Sequence, residues 1–286
     1  MEQQYTLGEF VRTRVDFLST KFEKAESHYM VRVLLEEYFG IDRVKIVLEP
    51  NILLTNEQVA MVDAAIAQLM KDVPLQYVIG EMEFFELRFK VAEGVLIPRP
   101  ETEEMVGLIC RQFARDQRLN ILDIGTGSGC IAISLASWFV NANICAIDIS
   151  EKALEIARYN AEKNNVNINF VKKDILATTS LANSYDLIIS NPPYVCEKEK
   201  SLMQANVLNY EPAQALFVPD DNPLLFYNQI ALLTSKALNN DGQLWFEINE
   251  AYGEATKQCC YEVGFNDVEI MTDFREKPRF CKAIKQ

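Results

Sequence analysis

Histidine is nearly absent from this 286-residue chain: the one copy is His28. No Cys-x-x-Cys occurs among the seven cysteines (Cys110, Cys130, Cys145, Cys196, Cys259, Cys260 and Cys281), so the sequence offers no zinc-type ligand set. Their odd number and unpaired spacing argue against a disulfide framework and fit reduced thiols in the cytoplasm. Long apolar runs are missing too. The richest, residues 130–140, falls far short of the roughly 20 residues that span a bilayer, and the opening MEQQYTLGEF has no basic-then-apolar signal layout. A cytoplasmic protein without membrane contact is expected. Basic charge is scarce as well, since 28 Lys and Arg against 41 Asp and Glu leave a formal net charge of −13. Proteins that grip a phosphate backbone normally carry a basic face. The balance therefore argues against direct nucleic-acid binding and favours a small molecule or a basic protein as partner.

What is present is an ordinary globular composition, 49% hydrophobic and 24% charged, on a chain long enough for two domains. Residues 1–80 read as a small helical domain. Val11, Val15 and Leu18 recur at helical spacing, as do Val31, Leu34, Leu35 and Tyr38 before a stop at Gly40. A third helix opens at Thr55, where Thr55-x-x-Gln58 is a capping-box pattern, and buries Val59, Val62, Ile66 and Leu69. Residues 81–97 read as a β-hairpin connector with its turn at Glu93–Gly94. From 98 to 286 strands and helices alternate: a helix over 101–113, strand 121–124, helix 131–139, strand 144–149, helix 151–162, and strands 168–171 and 185–190. Helix 224–238, strand 243–248, a helix near 252–263 and strands near 267–271 and 280–284 follow. That order predicts an α/β fold: a Rossmann-like, mainly parallel sheet with helices on both faces and an antiparallel edge hairpin.

Two motifs sit on strand ends. Asp123-Ile124-Gly125-Thr126-Gly127-Ser128-Gly129 joins a strand to a helix. Its glycines permit a sharp turn and close ligand approach, and the helix start presents free N–H groups. The spacing G-x-G-x-G differs from the G-x-G-x-x-G of dinucleotide enzymes. Asp123 precedes the loop, where a carboxylate can hold an amino-bearing ligand. Asp148 ends the next strand, the place of a ribose acceptor, and Asp174 ends the third, within reach of an adenine amino group. Any one aspartate alone reads equally well as a helix cap; three on successive strand ends point to a nucleoside site. The second motif, Asn191-Pro192-Pro193-Tyr194, closes strand 185–190. The prolines stiffen the backbone and leave carbonyls free to accept. The Asn191 side-chain oxygen and the Pro192 carbonyl can take the two N–H groups of a planar NH₂, and Tyr194 can stack on it. Such a nitrogen is a poor nucleophile, so orientation must do the work. No strong base is needed, in keeping with the lack of histidine after His28.

Together these motifs resemble the class I methyltransferases that act on amino or amide nitrogens. Three further segments resemble the HemK/PrmC family: residues 74–80 (PLQYVIG), 97–103 (IPRPETE), and Tyr210-Glu211-Pro212 with Ala215-Leu216. The resemblance implies transfer of a methyl group from S-adenosyl-L-methionine to the glutamine side-chain nitrogen of the Gly-Gly-Gln motif in peptide chain release factors. It implies that Asp123, Gly125, Thr126, Gly127 and Gly129 cradle the methionine end, that Asp148 holds the ribose, and that Asp174 sits near adenine. Asn191, Pro192, Pro193 and Tyr194 would clamp the glutamine, and Asn191 would also touch the cofactor. The 98–103 segment would line the cofactor pocket, with no role assigned to Arg99 or Glu101, and the helical domain would recognise the protein substrate. A monomer is expected, with no metal. Adenine or guanine amino methylation of nucleic acid is the alternative, because Asn-Pro-Pro-Tyr serves it too. A nicotinamide oxidoreductase would leave Asn-Pro-Pro-Tyr unexplained. The 195–222 connection is long, Glu197–Lys200 reads as a solvated charged face, and Trp138 and Trp245 read as core.

Overall fold

The computed structural model describes residues 4–182 and 184–286, and the chain divides into two compact units. The first contains α1 (Leu7–Leu18), α2 (Lys24–Phe39), α3 (Arg43–Leu48), α4 (Asn56–Leu69) and α5 (Leu75–Ile79). Each long helix has a chemical reason to begin or end. Thr6 and Glu9 form a reciprocal cap on α1, as Thr55 and Gln58 do on α4. Gly40 ends α2 at φ +63°, the left-handed conformation that closes helices cheaply only for glycine. Phe10, Leu18, Leu34, Val62, Ile66 and Leu69 form its core, while Val59 stays half-buried. The short α3 and α5 escaped the periodicity reading, because one or two turns are stabilised by packing rather than by their own pattern. Residues Ala205–Tyr210, far along the chain, also belong to this unit, and the Tyr210 hydroxyl donates to the Lys71 carbonyl at 2.7 Å.

The second unit opens with β1 (Glu81–Phe84) paired antiparallel to β2 (Leu87–Lys90). Its turn is Phe85–Glu86, not the expected Glu93–Gly94. Both turn residues hold left-handed φ, +52° and +60°, as a two-residue hairpin demands. The Phe85 ring packs edge-on against Trp138 at 6.2 Å. After α6 (Pro100–Cys110) come β3 (Asn120–Ile124), α7 (Cys130–Trp138), β4 (Asn143–Asp148), α8 (Glu151–Lys163), β5 (Asn169–Lys172) and β6 (Tyr185–Ser190). The long connection is ordered: β7 (Val195–Cys196), a 3₁₀ helix (Glu197–Leu202), α9 (Ala205–Tyr210), α10 (Ala213–Leu216) and β8 (Phe217–Val218). The unit ends with α11 (Leu225–Ala237), β9 (Leu238–Glu247), α12 (Gly253–Glu262), β10 (Asp267–Thr272) and β11 (Pro278–Ile284).

Seven strands form one sheet in the order β10-β11-β9-β6-β3-β4-β5. The five strands β5, β4, β3, β6 and β9 run parallel, and β11 is antiparallel to both neighbours. The expected fold class is the observed one. Successive side chains alternate between faces. Ile121, Leu187, Ile189 and Trp245 join one core with residues of α6 and α7, while Leu122, Ile188, Leu244 and Phe246 join the other with residues of α11 and α12. Trp138, expected in the core, is only partly buried, with Arg115 5.0 Å from its ring centre. Strand order reverses beside β3: β4 and β5 lie to one side, and the chain returns to the other as β6. Such a reversal opens a crevice beyond the carboxyl ends of the strands.

Candidate active site

A cavity lies at that reversal. Gly94–Leu96 and Ile124, Gly125 and Gly127 line it, together with Asp148, Asp174, Asn191, Pro192 and Pro193, with Pro212, Gln214, Ala215, Phe226 and Ile230 completing the wall. The glycine loop is bent back over the next strand: the Gly125 and Thr126 N–H groups donate to the Ile147 carbonyl at 2.9 and 3.0 Å. Gly125 and Gly127 hold φ +76° and +55°, and a methyl built on either would meet no protein atom within 4 Å. An open cradle results, one a larger side chain would fill. Asp148 is tied into it. One carboxylate oxygen accepts from Gly127 N–H at 2.9 Å and the other from Ser150 N–H at 2.8 Å, and burial raises its pKa. Asp174 caps the chain after β5 through Leu176 N–H at 2.9 Å, while also facing the cavity. Apolar walls from Ile147, Ile149, Ile175 and Leu176 suit a flat heterocycle, and the two aspartates suit a ribose and an amino group. The residues therefore fit an adenosyl ligand.

Asn160, on α8, was not singled out from sequence, yet it ties this floor together. Its amide donates to the Ser128 carbonyl at 2.9 Å and the Lys90 carbonyl at 3.0 Å, and it accepts from Lys90 N–H at 2.7 Å.

Three residues of the predicted cofactor loop, Asp123, Thr126 and Gly129, are not on the cavity wall. Asp123 is fully buried, with one oxygen held by the Thr126 hydroxyl at 2.6 Å and the other without a partner among the described residues. Burial pushes its pKa up to about 7. Its carboxylate fastens the loop from beneath, and Thr126 is spent on that contact. Gly129 packs against α7 and α8, where an added methyl would come within 2.8 Å of Ile133 and 3.1 Å of Ala157. The expected lining by residues 98–103 is replaced by Gly94–Leu96. Arg99 instead pairs with the buried Glu211 at 2.7 Å, and Glu211 also accepts from Ile97 N–H at 3.2 Å. Glu199, expected in a solvated charged face, caps Cys196 N–H at 2.7 Å.

Asn191 is on the wall, and its amide is held from behind. Nδ2 donates to the Thr102 hydroxyl at 3.1 Å, and that hydroxyl donates to Glu247 Oε2 at 2.5 Å. The Tyr194 hydroxyl donates to Glu247 Oε1 at 3.0 Å, so Tyr194 turns toward the interior rather than onto the wall. Glu247, at the end of β9, is 1% exposed. Burial raises its pKa, while the two hydroxyl donors and Arg279 pull it back. Sequence reasoning missed Thr102 and Glu247. The only available signal was an acid at a strand end, without a motif around it.

Two family models match the chain: the methyltransferase small domain over residues 102–217 and the PrmC N-terminal domain over 16–80. The release factor glutamine methyltransferase of Flavobacterium psychrophilum is 44% identical over 272 residues, covering 94% of this chain and 95% of that protein. The same-named protein of Bacteroides thetaiotaomicron is 44% identical over 248 residues (86% and 88%), and that of Chlorobaculum tepidum 34% over 295 residues (100% and 99%). Among solved structures, a methyltransferase from Pyrococcus furiosus matches with a TM-score of 0.52 at 18% identity, covering 81% of this chain and 99% of that one, a likeness of fold.

Proposed function

The chain belongs to the release factor glutamine methyltransferase family, and from that premise we propose how its own residues carry the reaction. The enzyme transfers a methyl group from S-adenosyl-L-methionine to the side-chain nitrogen of a release factor glutamine. When bound, the cofactor supplies an electrophilic methyl carbon on a sulfonium sulfur. Gly125, Gly127, Asp148 and Asp174 hold it, with Asp123, Thr126 and Gly129 keeping the loop in shape beneath. Asn191 Oδ1 and the Pro192 carbonyl accept the two N–H groups of the glutamine amide, and Pro193 stiffens that pair. Tyr194 braces the motif through Glu247. Holding the NH₂ plane in this way turns the face of the nitrogen toward the methyl carbon. As the N–C bond formed, the methyl–sulfur bond would break and the cofactor would leave as its neutral thioether; the nitrogen, then strongly acidic, would lose its proton to water without a strong base. Positioning supplies the acceleration.

The observation that carries this reading is that Asn191 shares one cavity wall with the glycine loop and both strand-end aspartates. In the same reading the Gly-Gly-Gln motif is the acceptor, the helical unit recognises the release factor, and the enzyme works as a cytoplasmic monomer without direct nucleic-acid contact. The test is transfer of labelled methyl to a release factor and to a variant carrying alanine for the glutamine of Gly-Gly-Gln. Label is expected on the first alone. Label persisting on the second would remove that glutamine as acceptor, and label moving to added RNA or DNA would favour base methylation.

A further inference from the structure

We propose that Thr102 and Glu247 are positioning residues that decide which atom of the Asn191 amide faces the acceptor nitrogen. The inference rests on the reading of Asn191 as the amide clamp, and goes beyond it to what keeps the clamp the right way round. An asparagine amide presents an acceptor at one end and a donor at the other, in nearly the same shape. Rotated by half a turn, Asn191 would set its own N–H groups against those of the substrate. Sterics cannot prevent that; only the hydrogen-bond partners can.

The partners form a directed chain across three elements. An ionised carboxylate only accepts. Glu247 therefore takes the Thr102 hydroxyl proton at 2.5 Å and the Tyr194 hydroxyl proton at 3.0 Å. Thr102, in the first turn of α6, has only lone pairs left to offer, and Asn191 Nδ2 donates to it at 3.1 Å. With Nδ2 turned to Thr102, Oδ1 is the atom left for the cavity. Thr102 is 3% exposed, so water does not readily replace either partner. The direction depends on the charge of Glu247. Protonated, it can donate to Thr102, which then donates to Asn191 and turns the wrong atom outward. The charged groups that bear on Glu247 are Arg279 on β11, which favours ionisation, and Glu101 on α6, which opposes it; the titratable Cys130 on α7 and Tyr227 on α11 also bear on it, and burial raises the pKa of both. The neighbouring Tyr194 stays neutral, its pKa raised by burial and by Glu247 itself.

The experiment uses the full-length enzyme, a release factor and labelled S-adenosyl-L-methionine at saturating donor. Thr102→Val keeps the shape and removes the hydroxyl. It should lower kcat about 10- to 100-fold, the scale of a buried amide left without its acceptor, with the dissociation constant for S-adenosyl-L-methionine unchanged. Thr102→Ser should restore most of the rate, which repair of packing alone would not do. In the wild type kcat should fall as Glu247 takes up a proton on the acid side, and Glu247→Gln should abolish that limb. Full turnover in Thr102→Val, no recovery in Thr102→Ser, or an unaltered acid limb in Glu247→Gln would each overturn the proposal. Asn191→Ala separates the two levels. If it is inactive while Thr102→Val is fully active, only the positioning role falls; if Asn191→Ala itself turns over normally, the clamp falls and the positioning role with it.

Discussion

Asp148 and Asn191 face one cavity but answer to different measurements. Asp148 holds Gly127 and Ser150 through two backbone N–H groups and lines the cavity. Asp148→Ala should weaken cofactor binding roughly tenfold or more, the order of a lost charged hydrogen bond; calorimetry giving unchanged affinity would remove it from the site. Asn191→Ala should instead leave that affinity nearly intact and cut kcat on the order of 100- to 1000-fold, as loss of one preorganised polar group does elsewhere. Equal losses of binding and turnover would contradict the assignment. Both residues were legible in sequence, because each stands at the end of a strand beside its motif. Thr102 and Glu247 were not. Thr102 and Glu247 are 145 positions apart and meet only through the packing of α6 against the sheet.

The glycine loop shows how one motif divides its work between elements. Gly129, at φ +83°, begins α7 where that helix passes close to α8. Gly129→Ala adds both left-handed strain and a clash, and should lower stability by about 2–4 kcal/mol. Gly127→Ala meets no protein atom within 4 Å, so strain alone should cost about 1–2 kcal/mol. Its methyl occupies ligand space, however, and the larger effect should be on cofactor affinity. Thermal unfolding and calorimetry on the two variants separate these roles, and equal unfolding losses would refute the division. The longer elements were readable from periodicity and caps. The hairpin turn at Phe85–Glu86 was not, since neither residue favours positive φ and only pairing of β1 with β2 holds them there. The short pieces between residues 195 and 222 carry no period long enough to read.

Across the molecule, the site concentrates buried carboxylates whose pKa values lie above normal. Asp123 sits at about 7, and Asp148 and Glu247 are raised as well. Each binds its proton more tightly folded than unfolded. Its contribution to stability is therefore fully present below the ordinary carboxylate range and is lost as pH rises through the folded value. For Asp123 that window runs from about 4 to about 7, at up to roughly 1.4 kcal/mol per pH unit. Urea unfolding of wild type and Asp123→Asn across this window should show a flatter pH dependence in the variant. Identical slopes would mean that Asp123 keeps an ordinary pKa when folded.

Fold class and chemistry were determined by the sequence itself. Alternating strands and helices can bury their apolar faces only as a helix-covered parallel sheet, and the two motifs at strand ends are set by local backbone chemistry, glycines that turn and prolines that stiffen. Local information extends no further than a few residues of chain. What only the tertiary structure decided is who stands behind the motifs: that Asp123 lies beneath the loop rather than on the wall, that Gly94–Leu96 replace residues 98–103 there, that residues 205–210 join the first unit, and that Thr102 bonds both Asn191 and Glu247. These depend on contacts between distant segments, which arise when elements pack and have no counterpart in the order of residues along one strand or helix.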